Sequence, residues 1–361
     1  MTPLSQVVIP GRFLDRMLGG NTTYARALAA RLPGHGVGVG RVRAGRTAPS
    51  TLCLEQSAVL ARWPEGTVLH WVGDTGPLAR PRAASVVTVH GVASRWVATA
   101  RNPSQEAIWR ARVRAAIAAS DLVITVSESS AEDVGAVFGV ERSRTRVIPH
   151  GIDHDRYRPG PPDARLPGRL GIPAGPYLLY LGNIEPRKNL LELVAAVEAA
   201  PDLPRLVVAG RPAWNAGPSM AAIARASRTT HVGFVPSHAK VALMRGCAAL
   251  VFPSLYEGFG FPVLEALACG APVVCTSAGA LAEFAGPSWR LAGPGRDEIR
   301  VGLRSALADA EWLRRCETEG PAWTARFDWG RSVLDHLDAY AQALAVHESK
   351  TTRRVMSGGT E

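Results

Sequence analysis

Short runs of β-branched residues alternate with alanine-rich stretches along the whole chain, and the alternation breaks once. The first half offers VVI (7–9), VLHWV (68–72), SVVTVH (85–90), LVITVS (122–127) and RVIPH (146–150) as strands. NTTYARALAARL (21–32) and EAIWRARVRAAIAAS (106–120) have helical spacing. The second half repeats the pattern with YLLYLG (177–182), RLVVAG (205–210), HVGFV (231–235), ALVFP (249–253) and PVVCT (272–276). Strands that are apolar throughout and separated by helices predict buried parallel sheets, not hairpins. GIDHDRYRPGPPDARLPGRLGIPAGP (151–176), rich in Pro, Gly and charge, reads as a linker. A length of 361 residues also exceeds one ordinary core. The predicted fold is α/β, two Rossmann-like doubly wound domains at 1–150 and 177–330. Ligands are then expected at the carboxyl ends of the strands, in a central cleft. The polar, non-periodic 348–361 reads as a disordered tail.

Composition removes several function classes. No run approaches the roughly 20 apolar residues of a membrane span. MTPLSQVVIPGRF lacks a charged segment followed by an apolar one, so a cytoplasmic protein is expected. The five cysteines form no CxxC pair or His-containing metal spacing, and no metal site or disulfide framework is expected. Of the net charge of +10, residues 1–165 supply +8 (21 Arg, 13 acids). Solvated arginine-rich faces account for this, as would an anionic acceptor or an acidic membrane surface. No nucleic-acid motif accompanies the charge.

Three glycine turns open helices. In SLYEGFGFPVLEALACGAPVVC (254–275), Pro262 fits a first helical turn and Gly270 a helix end. The turn offers free N–H groups and a positive dipole end, suited to phosphate. Gly258 and Gly260 permit close backbone approach, so main-chain amides near them suit sugar hydroxyls. Glu265 is placed to accept paired ribose hydroxyls, and Glu257 lies where a reacting sugar would be. Equally, Glu257 could cap the turn and Glu265 stabilise the helix start. In YLGNIEPRKNLLELVAAV (180–197), the Lys188 ammonium and the Arg187 fork suit a diphosphate leaving group. A solvated basic turn is the plainer alternative. Gly19 and Gly20 open the third helix, and His90 ends the SVVTVH strand, where a lone histidine is more often structural.

Together these segments resemble the retaining glycosyltransferases of family four, which have the GT-B fold. The resemblance covers nearly the whole chain and rests on GGNTTYARAL, VVTVHG, VSESSAEDV, VIPHGID, YLGNIEPRKNL, GFVP with AKVALMRGCAALVFPS, and YEGFGFPVLEALACGAPVV, the family's Glu-x7-Glu motif. It implies transfer of a sugar from a nucleotide diphosphate donor, held mainly by the second domain, without a metal or other cofactor. The acceptor would be a glycan, a lipid-linked molecule or a small molecule, held mainly by the first domain. Arg187 and Lys188 would grip the diphosphate, Glu265 the ribose and Glu257 the donor sugar. Gly258, Phe259, Gly260 and Phe261 would offer amides to sugar hydroxyls. Phe234 and Val235, with Arg211, would line the nucleobase pocket. His90 matches a family histidine near the donor sugar. The helix at 331–347 would cross back to the first domain.

Asn183 stands where many relatives have an arginine, so Arg187 and Lys188 would share the phosphate load. The EPRKN turn resembles a mannosyl- and rhamnosyltransferase-like branch, which leans the donor toward GDP-mannose. A UDP- or dTDP-sugar donor in secondary metabolism is the alternative. Epimerase, phosphorylase and non-catalytic partner readings compete on the same fold. The first domain looks short between residues 40 and 105. Arg110, Arg112 and Arg114 suggest peripheral contact with acidic lipid, although alternate positions define no single helical stripe.

Overall fold

The computed structural model describes residues 2–15, 19–97 and 103–357. The chain divides into two compact units: Met1–Val92, Arg101–Gly151 and Trp329–Glu361 form the first, and Ala93–Ala100 with Ile152–Asp328 the second. The stretch expected to be a linker thus joins the second unit. Ile152 bridges to Asp328, Tyr157 is buried, and Leu166–Arg169 forms a helical turn.

The first unit holds a parallel sheet of β1 (Gln6–Pro10), β2 (Gly38–Val42), β3 (Thr67–Trp71), β4 (Ala84–Val89), β5 (Leu122–Thr125) and β6 (Thr145–Val147), in the order β2-β1-β3-β4-β5-β6. Strands β3, β4 and β5 are buried along their whole length, which is why they are mainly apolar and show no alternation. Val8, Leu69, Val87 and Val123 pack against Val113, Ala116 and Ile117 of the Pro103–Ala119 helix. The sequence reading missed β2, a half-exposed edge strand whose GVGRV lacks the apolar signature. It also missed the Ala48–Leu60 helix, capped by reciprocal Thr47–Ser50 bonds, which occupies part of the segment that looked short.

The Trp329–Ser357 helix belongs to this unit and overturns the expectation of a disordered tail from residue 348. Buried Asp121 accepts from His347 Nδ1 at 2.9 Å and Lys350 Nζ at 3.3 Å, tying down the helix where disorder was expected to begin. Glu348 accepts from the Thr2 amide, and Thr351 and Thr352 bond back to carbonyls one turn earlier. Residues 358–361 lie outside the described ones.

A buried polar chain joins this helix to the sheet. Ser332 O can only accept, so His336 Nδ1 carries a proton (2.6 Å) and the bare Nε2 accepts from Tyr24 Oη (2.6 Å). Thr88 Oγ1 then donates to Tyr24 Oη (3.1 Å) and accepts from His70 Nε2 (2.8 Å). His70 Nδ1 accepts from Tyr340 Oη (2.8 Å). The chain closes with every histidine neutral, in keeping with burial, which pulls His70 well below its ordinary value and His336 down to about 4.

The second unit carries β7 (Tyr177–Leu181), β8 (Arg205–Ala209), β9 (Thr229–Gly233), β10 (Ala249–Phe252), β11 (Val273–Cys275) and β12 (Trp289–Arg290), again all parallel, in the order β12-β11-β10-β7-β8-β9. The order reverses between β7 and β10, whose carboxyl-end turns therefore lie side by side. Such a switch point is where doubly wound sheets bind ligands. The neighbouring turn after β8 approaches so closely that a Cβ on Gly210 would lie 1.8 Å from Gly182 O. The core joins Leu178, Tyr180, Val208 and Val251 to Leu193 and Val197 of the Leu190–Glu198 helix.

Candidate functional site

The turn after β7 leads through one 3-10 turn, Pro186–Lys188, into a helix that begins at Leu190. Asn189 makes the junction in the left-handed region, φ 58°, and its side-chain amide donates to Pro294 O at 2.7 Å. The turn after β10 lies alongside: the Leu255 amide donates to Arg187 O (2.8 Å), and Arg187 Nη1 donates to Tyr256 O (2.7 Å). Two strand ends from distant parts of the sequence are thus sewn together by one backbone bond and one guanidinium bond.

Charge converges at that seam. Glu257 Oε1 lies 2.6 Å from Lys188 Nζ, and Oε2 lies 3.0 Å from Arg187 Nη1. Arg187 Nη2 also meets Glu185 Oε1 at 2.5 Å, and the Lys188 ammonium stands 4.6 Å over the Phe252 ring. Lys188 and Glu257 are both buried. Burial pushes the Glu257 carboxyl up, but Arg187 and Lys188 outweigh it and hold the group down at about 2. Lys188 is pulled below its ordinary value by burial, with Glu257 opposing the fall. The sequence assigns Arg187 and Lys188 to the diphosphate and Glu257 to the donor sugar. The structure makes them one cluster, with Glu185 as a fourth member that the reading missed.

Glu265 sits one turn into the Phe261–Ala268 helix, and its Oε2 lies 2.7 Å from Lys240 Nζ, from the Ser237–Gly246 helix. Lys240 also donates to Tyr157 Oη at 3.2 Å. Neither Lys240 nor Tyr157 was anticipated. The sequence did hold a signal: Lys240 is one of three lysines beside 38 arginines.

The remaining donor-site candidates divide by exposure. Gly260, φ 91°, caps the Phe261–Ala268 helix, while Phe259 is buried against Phe261, Phe284 and Phe327. The Phe259 side chain therefore anchors the loop and leaves its backbone, not its ring, for a ligand, while Phe261 is only half-buried. Phe234 is 49% exposed with the Arg211 guanidinium 4.4 Å above its ring, whereas the Val235 side chain is buried. Tyr180 Oη donates to Asn183 O, committing that carbonyl to the turn.

Gly19, Gly20 and His90 belong to the first unit. Gly19, φ 100°, precedes a helix that starts at Gly20. His90 donates its amide to Asp74 Oδ1 (3.0 Å) and Nε2–H to Val72 O (3.0 Å), which fixes the tautomer. The rings of Tyr24 and His150 flank it, with centroids at 5.5 and 5.4 Å.

Comparison with known proteins identifies the family. Residues 166–323 match the family described as Glycosyl transferases group 1, and residues 66–156 match Glycosyltransferase Family 4. The chain is 30% identical over 229 residues to the O-antigen chain mannosyltransferase B of Escherichia coli, covering 61% of this chain and 60% of the relative. It is also 30% identical over 387 residues to a D-inositol 3-phosphate glycosyltransferase of Geodermatophilus obscurus, covering 93% of this chain and 83% of the relative. The first four curated relatives are matched over only 55–60% of their own length. Sucrose-phosphate synthase of Thermosynechococcus elongatus superposes with a TM-score of 0.75 at 21% identity, over 94% of this chain and 99% of that one, a likeness of GT-B fold. By these family matches and by a relative 30% identical over 93% of the chain, the chain belongs to the family-four glycosyltransferases.

Proposed function

We propose that the chain is a retaining hexosyltransferase that uses a nucleotide diphosphate sugar without a metal, with GDP-mannose as the favoured donor. The observation that carries this is the buried Lys188–Glu257–Arg187 cluster at the switch point of the second sheet. An incoming diphosphate would compete for both cations, freeing Glu257 to meet hydroxyls of the donor sugar. Negative charge grows on the leaving phosphate as the glycosidic bond breaks, and preorganised cations there lower the barrier. The leaving phosphate itself would draw the acceptor proton, so the protein contributes positioning and charge stabilisation more than a dedicated base. The mannosyltransferase relative, 30% identical over 61% of this chain, supports mannose as the sugar moved. The acceptor is proposed to be a glycan, a lipid-linked molecule or a small molecule.

Thermal stabilisation by a panel of nucleoside diphosphates and their sugars, with and without EDTA, tests the reading. A ligand at 100 times its dissociation constant should add about 2.7 kcal/mol if it binds only the native state. Selective, EDTA-insensitive stabilisation by GDP and GDP-mannose is expected. Selectivity for UDP or dTDP compounds would overturn the donor, and no response to any nucleotide would overturn the enzyme reading.

A second proposal, peripheral contact with acidic lipid, is favoured by Ile108 of the Pro103–Ala119 helix, which is 62% exposed. Arg110 of that helix already pairs with Glu106. Flotation with anionic liposomes should weaken as salt rises, and salt-independent flotation would refute it.

A further inference from the structure

The chain uses arginine almost everywhere that it needs a cation, 38 times against three lysines. All three lysines hold a carboxylate: Lys188 on Glu257, Lys240 on Glu265 and Lys350 on Asp121. Two of the three therefore fall on the two glutamates of the Glu-x7-Glu pair. At such a site the two cations are not equivalent. An arginine fork engages both carboxylate oxygens in parallel, whereas an ammonium is a point charge that can hold one. Lys240 Nζ donates to Glu265 Oε2 at 2.7 Å, and among the described residues its hydrogen bond to that carboxylate reaches that oxygen alone.

The lysine is itself held. Its Nζ donates to Tyr157 Oη at 3.2 Å and stands 5.5 Å from the centroid of that ring. Tyr157 is 6% exposed, and its amide closes a turn onto Asp153 O at 2.8 Å. Glu265 is 7% exposed, so its carboxylate has few rotamers open to it while both neighbours stay in place.

We propose that Lys240, backed by Tyr157, is a positioning residue: it holds Glu265 by one oxygen, leaves the other to a ribose diol, and makes the site selective for ribonucleoside over 2′-deoxyribonucleoside diphosphates. This rests on the reading of Glu265 as the ribose acceptor. Lys240→Arg preserves the charge but presents a fork to both oxygens, so it is not conservative here. Lys240→Met removes the charge and keeps most of the length. Tyr157→Phe keeps the ring and removes a hydroxyl that faces both the ammonium and the Glu265 carboxylate.

The test is calorimetric titration of the wild-type chain and the three variants with GDP, UDP and ADP. The diphosphate that the wild type binds best is then compared with its 2′-deoxy counterpart. Inorganic pyrophosphate reports on the untouched Arg187–Lys188 turn. The wild type should prefer the ribose form about 10- to 100-fold, the range of a hydrogen bond to a charged group. Lys240→Met and Lys240→Arg should both cut that preference to less than about threefold, with pyrophosphate affinity unchanged. Tyr157→Phe should fall between. Wild-type preference retained in both Lys240 variants would overturn the proposal, as would a wild type that binds ribo and deoxy forms equally. A wild type that binds no nucleoside diphosphate would overturn the donor-site reading itself, and this proposal with it.

Discussion

Acidification should weaken the first unit in steps of whole histidines. His70, His150 and His336 are buried, and burial lowers each of them below its ordinary value. The groups facing them, Tyr24, Thr88, Tyr340 and His90, offer no carboxylate to hold a proton. The unfolded chain takes up a proton at each near pH 6.5 and the folded chain does not, so stability falls as pH drops below that value. Between pH 6.5 and 5.5 one such histidine costs about 1 kcal/mol, and three cost about 3, a large part of a domain's 5–15 kcal/mol. For His336 the loss continues down to its folded value of about 4. Urea unfolding of the wild type and His336→Asn at pH 7.5, 6.5 and 5.5 measures this. The asparagine amide can still donate to Ser332 O, so the variant should be weaker at every pH and lose only about 2 kcal/mol over the same interval. A wild type losing less than about 1 kcal/mol, or a variant with an unchanged slope, would refute the neutral network.

Two further outcomes follow from the ion pairs. Lys188→Ala should lower turnover at least about 100-fold with the fold intact, the scale of losing one preorganised charge-stabilising donor; near-normal steady-state rates would contradict the site. Asp121→Asn should destabilise by about 1–3 kcal/mol, because Lys350 and His347 lose a buried charge that also accepts from the Ser85 amide. Burial raises the Asp121 carboxyl, but His347, Lys350 and Arg80 outweigh it and leave it below its ordinary value. Its contribution is therefore complete above about pH 4 and is lost only as pH falls further, outside the histidine window. Thermal melts of the variant at pH 7 and pH 4 check both statements.

What the sequence made legible was whatever repeats locally. Apolar runs flanked by helices announced two parallel sheets, and the glycine turns at 182 and 258–260 pointed to strand ends. Strand β2 escaped because its glycines and arginine carry no apolar pattern. The partners of each glutamate escaped for another reason. Lys188 and Glu257 are 69 positions apart, and only the strand order that sets β7 beside β10 brings them within 2.6 Å. Tyr24 and His336 are 312 positions apart, and nothing near either announces the other. Lys240 escaped as well, although as one of only three lysines it carried a compositional mark that the helix around it did not explain.

The make-up of the first unit has a consequence for how the protein is born. The second unit is almost continuous in sequence, from Ile152 to Asp328, whereas the first requires Trp329 onward. Synthesis at 5–20 residues per second puts roughly ten to forty seconds between the emergence of Gly151 and the arrival of the helix that completes the first core. Throughout that interval Tyr24 has no His336 and His70 no Tyr340, so the segment made first is the one finished last. Protease treatment of ribosome-held chains ending near residue 328 should then spare the second unit and cut the first. The Trp329–Ser357 helix would act as a checkpoint, withholding a finished first unit from any chain whose synthesis stops before it.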